Sequence, residues 1–489
     1  MSSATSFLRF QALPGQTPLV AAAIAIGLVI ALLPLSTAAF MFALGALVVL
    51  TVIEPRNAVI ILLLVAPLKT LVETEASFSL PLDPGQLALL FAIGVWVIVR
   101  IVQRQPLYLR GHAVQIPLFL FVLVALLSLV EAPSPATGLA ETLKWIEIIL
   151  LISFSLALYR RDEAHWLVFA LVLAGGVQAA AGLYEFFGGS GADHLRILDG
   201  QHFRAFGSFG QPNPFGAFMG ITLPLALSST LAYAGQLWQR IANRNWRTTI
   251  WQEAAAVVFY VGISGLILGG LITSWSRGAW MGFASAVVVM LLMIPRSVTR
   301  GLVLLAAILI LGVMAWNNGL VPSTISARMT SFVGDLTAAN DARGLKITDD
   351  NYAVIERAAH WQVGAMIAQD YPWLGVGFGN YEAAYPQYAL INWPIALGHA
   401  HNYYLNLLAE VGLFGLVAYL LAWGAVVVST VKVWRRQQGI ARAWSIALMG
   451  AWMYIAVHSV VDKLYVNNLF LHLGFMMGLL AVLSADSSS

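Results

Sequence analysis

The sequence contains no cysteine. Disulfides, thiolate nucleophiles and thiolate metal sites are therefore excluded. Charge is nearly as scarce. Asp, Glu, Lys and Arg supply 10% of the 489 residues, hydrophobic residues 60%, and the mean hydropathy is +0.80. A soluble domain carries about a quarter charged residues. This chain cannot cover a water-facing globule and needs a bilayer to solvate its apolar surface. The net charge of +3 is too small to imply a nucleic-acid partner. No small-x-small cleavage site follows the first apolar stretch, which runs straight into a second, so an uncleaved first span is expected. Internal repeats and low-complexity segments are absent.

What the chain does contain is apolar runs of helical length, and a spanning helix needs about 20 such residues. They fall near 18–35, 38–53, 58–71, 86–102, 115–131, 140–159, 164–187, 213–235, 254–273, 277–294, 299–317, 402–430, 442–460 and 466–484. Those at 38–53 and 58–71 are short enough to be half-helices. The expected fold is an all-α polytopic transmembrane bundle of 12–14 spans with one large outer loop. The chain divides into membrane helices over 1–317, a loop domain over 318–400 and C-terminal membrane helices over 401–489.

Lys and Arg in the short loops set the orientation. With the N-terminus inside, the inner loops hold 16 of the 26 basic residues, and the outer short loops hold six. Both termini are therefore expected in the cytoplasm and the 318–400 loop outside. Within that loop, Val354 to Ala368 has helical spacing. Asp370-Tyr-Pro ends the helix and Gly375-Val-Gly-Phe-Gly379 turns the chain. The glycine run is not placed between a strand and a helix, so it reads as a turn and not as a nucleotide loop.

Ionisable residues at the outer membrane edge are costly, and each needs a reason. Arg204 lies in Gln201-His-Phe-Arg-Ala-Phe-Gly-Ser-Phe-Gly-Gln-Pro-Asn-Pro214, where it either anchors an aromatic belt or lines a cavity. Arg277 sits in a tight outer hairpin, Thr273-Ser-Trp-Ser-Arg-Gly278. It either snorkels to lipid phosphates or forks onto a substrate phosphate, for which its planar donors are suited. His399 and His401 lie in Gly398-His-Ala-His-Asn-Tyr-Tyr404, where the outer loop re-enters the membrane. The helix that follows carries Asn402, Asn406 and Glu410 as one polar stripe, descending about 12 Å. That stripe either packs against neighbouring helices or lines a cleft with a histidine at its mouth. An imidazole with a pKa near 6.5 can act there as a general base. Glu141, Lys144 and Glu147 have the spacing to pair with one another. Glu73, Glu75 and Asp83 form an acidic outer loop without tight metal-ligand spacing.

Three segments together resemble the O-antigen ligase and O-antigen polymerase superfamily of bacterial envelope proteins. They are Arg204-x-x-Gly-Ser-Phe-x-x-Pro-Asn213, Ser276-Arg-Gly-Ala279, and His401-Asn followed after nine residues by Gly412-Leu-Phe-Gly415. Trp373-Leu-Gly-Val-Gly-Phe-Gly-Asn-Tyr381 supports them, and the resemblance covers about 165–430. It implies a glycosyltransferase of the inner membrane with its site facing the periplasm. The donor would be a glycan on undecaprenyl diphosphate, the acceptor a sugar hydroxyl of lipid A-core, and the solvent membrane lipid. Transfer would be inverting, with no metal and no cofactor. The family's functional residues carry over to Arg204 and Arg277 as diphosphate ligands and to His401 as general base. Asn402, Asn213, Arg357, His399 and Glu410 join them as substrate-binding candidates, His399 without a motif counterpart.

Two rivals remain at this level. One is a polymerase of the same superfamily, or a related protein glycosyltransferase. The other is a transporter, which would more often show two related halves with matched broken helices, whereas the outer loop here is single and one-sided.

Overall fold

The computed structural model describes residues 48–75, 82–189, 191–198, 200–243, 250–326, 328, 342–343 and 352–485. The expected span at 18–35, and all but the last residues of that at 38–53, lie outside the described residues, as do Arg9, Arg244 and Arg247. Among the described residues the protein is a helical bundle. Its one sheet is a two-residue hairpin, Arg196–Ile197 with His202–Phe203. Among the described residues eight helices are long and apolar enough to cross a membrane, and Gln115–Leu127, Arg277–Met293 and Leu469–Ser484 are shorter apolar helices. Pro135–Leu158 has the length, 24 residues, but carries Glu141, Lys144 and Glu147. The all-α polytopic architecture is the one hydropathy predicts; most described helices end within about five residues of the expected runs, while those expected at 213–235 and 402–430 run on to Ala242 and Arg436.

In chain order the helices are α1 (Arg56–Val65), α2 (Lys69–Glu75), α3 (Pro84–Val102), α4 (Gln115–Leu127), α5 (Pro135–Leu158) and α6 (Ala164–Gly188). Then come α7 (Pro212–Ala242), α8 (Ile250–Thr273), α9 (Arg277–Met293) and α10 (Val298–Asn317). The rest are α11 (Tyr352–Asp370), α12 (Tyr381–Ala384), α13 (Tyr403–Arg436), α14 (Gly439–His458) and α15 (Leu469–Ser484). The run expected at 58–71 is α1 and α2, broken by a short 3-10 turn at Ala66–Leu68. α15 is apolar on all sides and buried on all sides, as an all-round hydrophobic helix must be. It packs on α5, α7 packs on both α8 and α14, and α13 packs on α4.

The two ends of the bundle are fixed by polar contacts. At one end Asn468, ahead of α15, donates to Asp83 Oδ1 at 2.7 Å and to Ala66 O at 3.1 Å. Asp83 in turn caps α3 by accepting from Gln86 N at 3.0 Å, so its place in the expected acidic loop is structural. At the other end His112 Nε2 meets Ser484 Oγ at 2.9 Å. α5 runs the 24 residues between these ends, about 36 Å.

Candidate functional site

The Arg204 segment and the Arg277 hairpin are far apart in sequence but are bonded to one another. Ala205 N donates to Thr273 O at 2.9 Å, and Arg204 Nε donates to Ser274 O at 3.0 Å. Arg204 Nη2 also donates to Asn213 Oδ1 at 3.2 Å, so Asn213 aims the guanidinium. In the hairpin, Trp275 takes φ +53° and Ser276 caps α9, which puts Arg277 at the first helical position. Arg204, Asn213, Arg277, Arg357, His458 and Asp462 all line one cavity of about 80 Å³, together with Arg328. That is roughly the share of two or three waters, the size class of a phosphate group. Burial pushes the Arg204 pKa down to about 9, and the neighbouring guanidinium groups of Arg328, Arg357 and Arg277 add to the shift. Four cations converging on a small buried space call for an anion.

The histidines stand beside this cavity. Both precede α13, whose first turn is capped by Asn402, its Oδ1 accepting from Leu405 N at 3.1 Å. Asn402 is thus a capping residue here. His401 is in the left-handed region with φ +51°, which a non-glycine residue adopts only when its surroundings over-determine it. Those surroundings are visible. His401 N donates to His399 Nδ1 at 3.1 Å, Trp361 Nε1 donates to His401 O at 3.2 Å, and Ala400 N donates to Asn406 Oδ1 at 3.0 Å. Both ring nitrogens of His401 are buried without a hydrogen-bond partner. Asp462 Oδ1 lies 4.0 Å from His401 Nδ1 and 3.8 Å from His399 Nε2. Burial lowers the pKa of each histidine to about 3, against the pull of Asp462 for His401, and Arg357 lowers both further. The imidazoles are neutral, as a base must be, but titrate well below the ordinary value near 6.5.

Behind the histidines, α13 is broken at Gly412, which sits at φ +61°, ψ −164°, a conformation open in practice only to glycine. The break receives the Pro372–Gly377 segment. Leu413 N donates to Pro372 O at 2.8 Å, Val376 N to Ala409 O at 3.0 Å and Gly377 N to Glu410 O at 2.9 Å. A Cβ on Gly412 would stand 2.2 Å from Trp373 C. The glycine run is therefore a turn, as expected, laid along an interrupted helix. Glu410 is fully buried and its Oε1 accepts from Tyr381 N at 3.2 Å. Asn406 is buried as well. Asn402 caps α13, Asn406 accepts from Ala400 N and Glu410 from Tyr381 N, so of the two readings open in the sequence the structure takes packing, and Glu410 does not line the cavity.

The charged group on α5 differs from the expected triad. Lys144 pairs with Glu141, but the other partner of Glu141 is Lys463, at 3.3 Å. Glu147 instead accepts from Gln86 Nε2 at 3.2 Å. His399, His401 and Asp462 bring potential ligand atoms within 4.8 Å of one another. Two histidines and a carboxylate are a plausible donor set, but Arg357 and Lys463 lie close enough to depress the His399 pKa. A divalent cation would face the same repulsion.

Three polar cavity residues were not singled out from the sequence: Arg328, His458 and Asp462. Asp462 and Lys463 stand at the end of an apolar span, the signal that flagged Arg277, and could have been found the same way. A comparison with curated proteins gives no match. Residues 262–420, a stretch with Arg277, Arg357, His399, His401 and Glu410, match the family model described as O-antigen ligase.

Proposed function

We propose that the protein transfers O-antigen polysaccharide from undecaprenyl diphosphate to a sugar hydroxyl of lipid A-core, at the periplasmic face of the bacterial inner membrane and with both termini in the cytoplasm. The observation that carries this reading is the cavity of four arginines with His401 and Asp462 at its side. A diphosphate becomes a good leaving group once its charge is neutralised, and preorganised cations in a buried site do this strongly. The acceptor hydroxyl attacks the anomeric carbon on the face opposite the diphosphate. Its oxygen forms the new glycosidic bond as the bond to the diphosphate oxygen breaks, so the anomeric configuration inverts. The hydroxyl proton passes to a ring nitrogen of His401, and undecaprenyl diphosphate leaves with its charge held by the guanidinium groups. Asp462 stabilises the imidazolium that forms. A polyprenyl tail stays in lipid beside the bundle while its headgroup reacts at the end of α13. The membrane-buried body and lipid-linked glycan substrates agree with the family match.

The test is transfer in vitro, with purified protein, undecaprenyl-diphosphate glycan and lipid A-core, in the presence and absence of EDTA. Glycosylated lipid A-core in both arms supports the reading. Elongated lipid-linked glycan with untouched lipid A-core would make the protein a polymerase. Loss of transfer in EDTA, restored by a divalent ion, would turn His399, His401 and Asp462 into metal ligands.

A further inference from the structure

The end of the bundle opposite His401 holds a second concentration of arginine. A cavity of about 630 Å³ is lined there by Arg100, Arg110, Arg160, Arg161, Asp162 and Tyr159, among others. Its volume is in the range of small-molecule sites. Among the described residues Asp162 is the single acid in the lining, and it is already held by Arg160 at 3.4 Å. Arg100 is engaged by Gln105 Oε1 at 2.8 Å and stacks on Trp96. Arg110 and Arg161 bring charge that no acid among the described lining residues balances. The Tyr159 hydroxyl supplies the second observation. Tyr159 is 4% exposed, lines the cavity, and its Oη is buried without a partner. An orphan buried hydroxyl is costly unless a ligand completes it.

We propose that this cavity binds the phosphate of an anionic phospholipid headgroup, with Arg110 and Arg161 on the phosphate oxygens and Tyr159 donating to one of them. The rim favours a lipid over a free anion. Ile101, Val102, Leu107 and Tyr108 are each more than half exposed beside the arginines. Aliphatic side chains next to a basic pocket at a helix end suit acyl chains below a charged headgroup. This inference is independent of the chemistry assigned to His401.

The test uses the full chain purified in detergent. Native mass spectrometry and the thermal unfolding midpoint are read on adding phosphatidylglycerol, phosphatidylcholine or inorganic phosphate. Phosphatidylglycerol should be retained and should raise the midpoint, and the other two should do neither. Arg110→Gln with Arg161→Gln should weaken phosphatidylglycerol about tenfold or more. Tyr159→Phe keeps the buried ring and should weaken it by a smaller factor, which covers the case in which the double variant does not fold. Undiminished phosphatidylglycerol binding by the folded double variant, or by Tyr159→Phe if only that variant folds, would overturn the site. Inorganic phosphate binding as tightly as phosphatidylglycerol would overturn the lipid assignment.

Discussion

His399 Nδ1 accepts the backbone N–H of His401 at 3.1 Å. The bond does two things at once. It occupies the lone pair with which His399 would take a proton, and it helps hold His401 in its left-handed conformation. The His399 proton must then sit on Nε2, facing Asp462 at 3.8 Å. Two histidines two residues apart are therefore bonded differently, and of the two only His401 keeps both ring nitrogens without a hydrogen bond.

His401→Ala should lower transfer by about 10²–10⁴, the usual worth of a general base, while the protein still inserts. His399→Ala should cost far less, and His399→Asn, whose side-chain oxygen can accept the same N–H, should recover most of the loss. Initial rates of lipid A-core glycosylation check this. Equal losses from the two alanine variants would move the base away from His401.

The acid limb of the pH profile should lie low. In the free enzyme burial holds His401 near 3, so its basic form persists as pH falls through 6.5. The kcat/KM, which reports the free enzyme, should therefore stay level between about pH 7 and 5. A bound diphosphate adds negative charge, favours the imidazolium and raises the pKa, so the limb in kcat should lie at higher pH. Asp462→Asn removes a charge that raises the His401 pKa, so it should lower kcat and move that limb to lower pH. A kcat limb unmoved by Asp462→Asn would remove Asp462 from the proton path.

Arg277→Lys should fail although it keeps the charge, because an ammonium cannot fork onto two phosphate oxygens. Arg204→Lys should fail too, since a lysine cannot reproduce the pair of bonds to Ser274 O and Asn213 Oδ1. Transfer rates of the lysine variants decide; near-normal activity in both would leave the arginines as lipid anchors.

Orientation can be read by thiol labelling, and the absence of native cysteine makes the experiment clean. Ile391→Cys, at a position 94% exposed in the loop before α13, should react with a membrane-impermeant reagent from the periplasm. Gln438→Cys, between α13 and α14, should react only after lysis. The reverse pattern would invert the topology.

Gly412→Ala should destabilise the protein by about 1–3 kcal/mol from backbone strain alone, with the Trp373 clash added. The unfolding midpoint in detergent measures it, and an unchanged midpoint would show that the break is not needed.

Much of this was legible in the sequence because hydropathy and short motifs are local signals. Arg204, Arg277 and His401 were found by motif, and the cavity and its rim collect them. The helix α11 and the turn at Gly375–Gly379 followed from spacing and from glycine. What escaped depended on distant partners. Glu141 and Lys144 pair at i, i+3, but nothing local announces that Lys463 completes the pair. The polar stripe on α13 reads the same whether it lines a cleft or packs against neighbours. The partners Ala400 N on Asn406 and Tyr381 N on Glu410, set by the tertiary fold, decide for packing.

The make-up of the cavity has a consequence for biogenesis. It draws on Arg204, on Arg277, on Arg357 and on Asp462, and the last of these arrives more than 250 residues after the first. A nascent chain that has inserted only through α10 holds two of the arginines but neither histidine, Asp462 nor the interrupted helix. Synthesis must run past α14 before the cavity is complete, so a chain that stops short of Asp462 should show no transfer and no hydrolysis of a lipid-linked donor in the same assay.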